Sequence, residues 1–425
     1  MKVPRILPFS LGLSLLLATV PAAANPEPET PYFKASAALS MELKNAQWFD
    51  GKGLQRGTLY VKDGRFTDQR IKKAQRQMDL KGQFLIPPLA DAHNHNLQTL
   101  WGFARYAPSY LRDGVFYTAQ QCGEPKAVAE MRPIAAQAAS PEVLFNSACI
   151  TASEGQPLAQ LLGDDPKLRA EDFIDKAVLV MDTLQDLNQK WPLVGPRKSD
   201  SIKLMISRSE SPELRSEPKQ HGRLGLRPEL VGAIVKRAHQ DGYKVIAQAD
   251  TAADFALATQ SGVDWVARLP GLHFFEGTTA ERYRISPEAA AEAAKKKLSV
   301  ITAISGSKLF PMPAETLAAV RQLQAENLRR LLEAKVPLLL GSDLYNGTAL
   351  SELRTLDALG LLDRSQLLRL ATVDTPRALF PKRKIACFDN GCEASFLLLK
   401  SNPLQGLEAL ERIQLRVKQG RVLSQ

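Results

Sequence analysis

The sequence predicts an α/β chain that closes into a (β/α)8 barrel of the TIM type, with a small β-sandwich domain formed by its N- and C-terminal segments. Three observations predict it. From about Phe84 to Phe380, eight apolar runs of strand length alternate with segments of helical period. Both flanks of that region are β-rich, with short runs bounded by Gly, Asn or Pro. No GxGxxG follows the first strand-like run, which argues against a doubly wound sheet.

The chain opens with two basic residues, an apolar stretch and a small-residue end before Asn25, so residues 1–24 read as a secretory signal peptide. The apolar run is too short for a membrane span, and no Cys stands there to take a lipid. A soluble periplasmic or secreted protein is expected, with no membrane attachment once the signal is cleaved. Removing Lys2 and Arg5 lowers the formal charge from +10 to +8. The remaining basic residues are scattered, and the groups at Lys295-Lys296-Lys297 and Lys382-Arg383-Lys384 lack interleaved aromatics, so no nucleic-acid partner is expected.

Residues 25–83 are expected to form the first part of the small β domain. Within them MELKNAQWFDG and GTLYVKDGRF read as strands, with Asp63-Gly64 as a hairpin turn. Residues 84–380 form the barrel. Its strands are FLIPPLADAH, VFYTAQ, VLFNSACIT, SIKLMIS, KVIAQA, DWVARL, SVITAI and PLLLGSD. Helices lie between them, among them RAEDFIDKAVLVMDTLQDLNQ, RPELVGAIVKRAHQDG, SPEAAAEAAKKK and PAETLAAVRQLQAENLRRLLEAK, several opened by Ser, Pro or Asp and closed by Gly. Residues 381–425 complete the small domain. Four cysteines in an exported chain favour two disulfides. Cys387 and Cys392 flank the turn Asp389-Asn390-Gly391 and could close a hairpin, while Cys122 and Cys149 could tie neighbouring strand ends.

Barrel enzymes carry their chemistry at the C-terminal ends of the strands. The first run ends in Asp91-Ala92-His93-Asn94-His95, and side chains two apart on a strand face the same side. With five histidines in the whole chain, this pair reads as metal ligands. The eighth run ends in Gly341-Ser342-Asp343, beside the first when the barrel closes, so Asp343 can reach the same metal and act as a base; a helix cap is the competing reading. Lys203 is a lone cation in an apolar fourth strand and needs a partner or a modification. His239 lies on a helix and reads as structural. His221 falls in the long charged segment after the fourth strand, which begins at the active mouth and is placed to shape a pocket.

Phe84 to His95 resembles the first-strand signature of the amidohydrolase superfamily, in its imidazolonepropionase and prolidase-like branch, with Pro88 where Gly is usual. The similarity runs over nearly the whole mature chain, through Ala238-His239, Ser261-Gly262-Val263-Asp264, the GSD triplet and LLRLATVDTPRALF. It implies a metal-dependent hydrolase of C–N bonds, in amides, cyclic amides or dipeptide-like substrates, taking a small polar molecule. It also implies metal ligands at His93, His95, Lys203, in carboxylated form, and Asp343, plus one His each on the fifth and sixth strands. Those last two positions fall on Gln248, at best a weak ligand, and on Arg268, which cannot be one. A full two-metal site is therefore not expected. Three outcomes remain open. A single divalent transition metal, zinc by ligand type, sits with His93, His95 and Asp343 while Arg268 fills the second position and pairs with Asp343 or a Lys203 carbamate, with Asp343 and Arg268 as catalytic groups. His273 swings in as a replacement ligand. Or the barrel is a non-catalytic binding or accessory protein, or one with a changed isomerase or lyase reaction.

Overall fold

The computed structural model describes residues 33–163 and 165–425. The expected signal peptide and the NPEPETP stretch after it lie outside the described residues. No helix among the described residues is long and apolar enough to cross a membrane.

Eight parallel strands form the barrel: Leu89–Asn94, Val115–Gln120, a third in two pieces at Glu142–Phe145 and Ala148–Thr151, Ile202–Ile206, Val245–Ala249, Trp265–Val266, Ser299–Ile301 and Leu338–Leu339. All eight fall within the apolar runs read from sequence, save for one residue at an end, Asn94 of the first and Glu142 of the third. The first piece of the third strand pairs with the second strand, and its second piece pairs with the fourth. Ring closure is direct: the Ala92 amide donates to the Leu340 carbonyl at 2.8 Å, and those of Ser342 and Asp343 donate to the His93 carbonyl at 3.1 and 2.8 Å.

The outer helices follow their sequence signals. Pro228–Gln240 begins with Pro at its first turn, where no N–H is needed, and Pro287–Lys295 is capped by Ser286 accepting from the Ala289 amide. Their apolar faces bury Leu230, Val231, Ile234, Ala290 and Ala293 against the strands, each larger side chain contributing about 1.5–3 kcal/mol.

Two expectations need correction. Phe84–Ile86 is not part of the first barrel strand; it pairs with Gln47–Trp48 and with Leu397–Leu399 in the small sheet. Pro87 and Pro88 offer no amide to a ladder, so the barrel begins at Leu89. The stretch RAEDFIDKAVLVMDTLQDLNQ is not one helix. Its apolar centre supplies a short edge strand, Leu179–Val180, beside Ile150–Thr151, and a capping box between Thr183 and Asp186 starts a separate helix, Leu184–Lys190.

The chain ends form one nine-stranded, mostly antiparallel, sandwich-like sheet around Met41, Leu43, Val61, Phe66, Phe396 and Leu398. Asp63 and Gly64, both at positive φ, turn the expected hairpin. Both expected disulfides are present, Cys122–Cys149 and Cys387–Cys392.

Candidate metal centre

His93 stands on the first barrel strand and His95 just past its end, and their side chains converge as the i, i+2 spacing predicts. The two Nε2 atoms lie 3.1 Å apart. Asp343 Oδ1, arriving from the end of the eighth strand, lies 3.2 Å from His93 Nε2 and 3.1 Å from His95 Nε2. Ligands about 2.0–2.1 Å from a tetrahedral metal are separated by roughly 3.3–3.4 Å, so the triangle fits a zinc-sized ion almost unchanged. Among the described residues these three are the ones that cluster in this way.

The proton inventory explains why the triangle suits a cation. His93 Nδ1 lies 2.6 Å from the Ala267 carbonyl and must carry the ring proton, which leaves Nε2 bare and aimed at the other two atoms. Burial keeps this imidazole neutral by pulling its pKa well down. The Gln98 amide nitrogen sits 2.5 Å from the Gln121 carbonyl and 3.0 Å from His95 Nδ1. Gln98 therefore donates to both, and the His95 proton sits on Nε2, shared toward Asp343. A metal at Nε2 would require this proton on Nδ1 instead, and Gln98 would then have to turn its oxygen to that atom.

Backbone geometry delivers Asp343. A Cβ on Gly341 would lie 2.9 Å from the His93 amide nitrogen and 2.5 Å from Ile301, so only glycine lets the eighth strand lie this close to the first. Ser342 then donates to Asp91 through its amide, at 2.9 Å, and its hydroxyl, at 2.8 Å. Asp343 adopts φ +51°, turning its carboxylate across the barrel mouth.

Asp343 Oδ2 accepts from Arg268 at 3.1 Å, and Arg268 also donates to Asp250 Oδ1 at 2.5 Å. With its amide oxygen turned to the guanidinium, as the donors there require, Gln248 accepts from three Arg268 nitrogens at 2.6–3.1 Å. Burial alone would raise the Asp343 pKa, but the hydrogen bond from His95 and the Arg268 charge hold it well below the usual carboxylate range. Burial would likewise weaken Arg268, yet Asp250 and Asp343 keep it protonated. A permanent cation thus stands at the sixth-strand position, between two carboxylates.

Lys203 is buried and lines the same cavity, and its Nζ has no hydrogen-bond partner among the described residues. Burial pulls its pKa down to about 7, partly opposed by Asp343 and reinforced by Arg268. The unfolded chain binds this proton up to about pH 10.5, so between pH 7 and 10.5 the unfolded state holds more protons and stability rises with pH. Urea unfolding of metal-free protein is expected to show a gain of about 2 kcal/mol from pH 7 to 9 over that of Lys203→Met. Parallel pH profiles for the two proteins would refute this.

His273 is not a member of the triangle. It stacks on Phe310 with centroids 3.9 Å apart, and burial pulls its pKa down to about 4. His239 is exposed and bonds Asp264 at 2.9 Å, and His221 is exposed. Two residues at the centre were not singled out from sequence. Asp250 follows Gln248 by two along the fifth strand, the same spacing that marked His93 and His95. Gln98 had no pattern to reveal it. His95, Lys203, Gln248, Asp250, Arg268 and Asp343 line a cavity of about 970 Å³, whose wall includes Arg208, Ser211, Glu213 and Arg223 from the long segment after the fourth strand.

No protein-family model matches the chain, and no curated protein matches its sequence. Solved structures do. An amidohydrolase structure matches at 21% identity and TM-score 0.67, covering 90% of this chain and 98% of its own. A Xaa-Pro dipeptidase with methionine bound in its active site matches at 16% identity and TM-score 0.71, covering 90% and 99%. Ochratoxinase from A. niger matches at 17% identity and TM-score 0.70, covering 91% and 96%. The chain therefore has the fold of the amidohydrolase barrel enzymes, as the resemblance in its first strand implied.

Proposed function

We propose that this chain is an exported, metal-dependent hydrolase that cleaves a C–N bond in a small polar amide, cyclic amide or dipeptide-like molecule. The observation that carries the reading is the triangle of His93 Nε2, His95 Nε2 and Asp343 Oδ1, three potential ligand atoms held 3.1–3.2 Å apart at the base of a cavity. His93, His95 and Asp343 would hold one divalent transition metal, zinc by ligand type, with Lys203 beside it. When bound, such an ion supplies Lewis acidity that makes water nucleophilic near neutral pH. Asp343, ionised at any working pH, takes the proton of the attacking water. Arg268, fixed by Asp250 and Gln248, faces the developing oxyanion with a charge that needs no reorganisation. Export is supported by the N-terminal pattern of residues 1–24 and by the two disulfides.

The rival is a non-catalytic barrel, favoured by Gln248 and Arg268 at positions where ligands were expected. Metal analysis after metal-replete expression decides between them. About one tightly bound transition metal per chain is expected; none would overturn the hydrolase reading.

A further inference from the structure

One buried arginine in the cavity wall has no carboxylate within salt-bridge distance among the described residues, Asp250 and Asp254 acting on it only from farther away. Arg208 follows the fourth barrel strand by two residues at φ +53°, a left-handed conformation that costs a non-glycine residue free energy. The Asp254 carboxylate imposes it, accepting from the amides of Arg208 and Ser209 at 3.0 and 2.8 Å. The side chain is drawn into the wall, and the residue is only 7% exposed.

A guanidinium has five N–H donors. Arg208 spends two of them, one on Gln220 Oε1 at 2.8 Å and one on the Arg223 carbonyl at 3.2 Å. Its buried Nε has no partner among the described residues. Of the other arginines around it, Arg268 is paired with Asp250 and Asp343, Arg215 with Glu154 and Arg282 with Glu210, while Arg223 is exposed to solvent. A buried charge left without its counter-ion is costly and persists where something else supplies one. Beside it lies an aromatic surface. The Arg208 guanidinium carbon is 4.5 Å from the Phe275 ring centroid, and His273 meets Phe275 edge-on while stacking on Phe310.

We propose that Arg208 is an anion subsite of this cavity and that the substrate carries a carboxylate attached to an apolar or aromatic body. A planar fork matches a carboxylate through two parallel hydrogen bonds, and one unpaired guanidinium offsets one negative charge, which suits a monoanion over a phosphate dianion. The Phe275, His273 and Phe310 rings supply the surface for the body. As a statement about substrate this rests on the hydrolase reading; as a binding site it can be tested apart from it.

The test is calorimetric titration of the full chain, as purified and after chelation, with benzoate, benzamide and phenylphosphonate. Benzoate is expected to bind at least about tenfold more tightly than benzamide, with or without metal. Arg208→Gln should abolish that preference, and Arg208→Lys, which keeps the charge without the fork, should retain part of it. Equal affinity for benzoate and benzamide overturns the subsite, as does a preference that survives in a folded Arg208→Gln protein. Tighter phenylphosphonate binding overturns the carboxylate assignment. A preference lost on chelation assigns the carboxylate to the metal, which overturns the subsite and leaves the hydrolase reading intact. If Arg208→Gln does not fold, the wild-type preference and the Arg208→Lys protein decide. A chain that never holds metal but keeps an Arg208-dependent preference retains the subsite and loses the hydrolase reading.

Discussion

Replacing Asp343 by asparagine is expected to lower hydrolytic turnover by about 10²–10⁴-fold while leaving the fold intact. Besides receiving the water proton, the carboxylate has two anchoring tasks, one on each oxygen. Oδ1 completes the triangle with the two histidines, and Oδ2 anchors Arg268. Asparagine keeps the shape but offers only one acceptor oxygen, and its NH2 cannot receive a proton. Turnover should therefore collapse. Arg268 keeps Asp250 and Gln248 as partners, so no buried charge is orphaned, and the melting temperature should move little. Hydrolysis of a panel of N-acyl amino acids and cyclic amides, followed beside a circular-dichroism melt, checks both halves. Turnover near the wild-type rate would remove Asp343 from the mechanism.

The second large effect concerns metal number. Gln248 and Arg268 occupy the fifth- and sixth-strand positions and touch each other, and the Arg268 guanidinium fills the space between Asp250 and Asp343. Changing both to histidine removes the resident cation and supplies two neutral nitrogen ligands. The double variant is expected to bind about two transition metals per chain where the wild type binds about one, as read by elemental analysis. Arg268→Met alone should not gain a metal, and should be destabilised by about 3–5 kcal/mol because it leaves two buried carboxylates without their cation. An unchanged metal content in the double histidine protein would show that Arg268 does not stand in a metal position.

Much of this architecture was legible in the sequence because barrel strands are buried on both faces and read as short apolar runs. Lys203 was conspicuous for the same reason, as a lone charge amid the apolar residues of its run. The boundary at Phe84 was not legible, since an apolar triplet looks the same whether it pairs in the barrel or in the small sheet. Val178 to Met181 was swallowed by a helical reading because its neighbours have helical composition, and only its pairing with the third strand reveals it. At the centre, the pairing of Arg268 with Asp343 was anticipated and that with Asp250 was not. Gln98 and Arg208 act through contacts with loops distant in sequence, which no local pattern encodes.

The broken third strand gives the barrel a seam. Hydrogen bonds from the second strand stop at Gln120 opposite Phe145, and those toward the fourth resume at Ala148 opposite Ile202. Past that point the Asn146 amide donates to the Gln120 carbonyl at 3.0 Å and the Gly123 amide to the Asn146 carbonyl at 2.7 Å, and the Cys122–Cys149 bond adds a covalent tie between the same strand ends. A covalent link closing a loop of 27 residues restrains the unfolded chain by about 3.5 kcal/mol on the chain-entropy account. Its placement has a more local effect. Where the ladder changes partner the girdle of the barrel gains one covalent bond beside its weak, repeated ones, and the strand end it ties carries the Gln121 and Cys122 carbonyls that hold Gln98 beside His95.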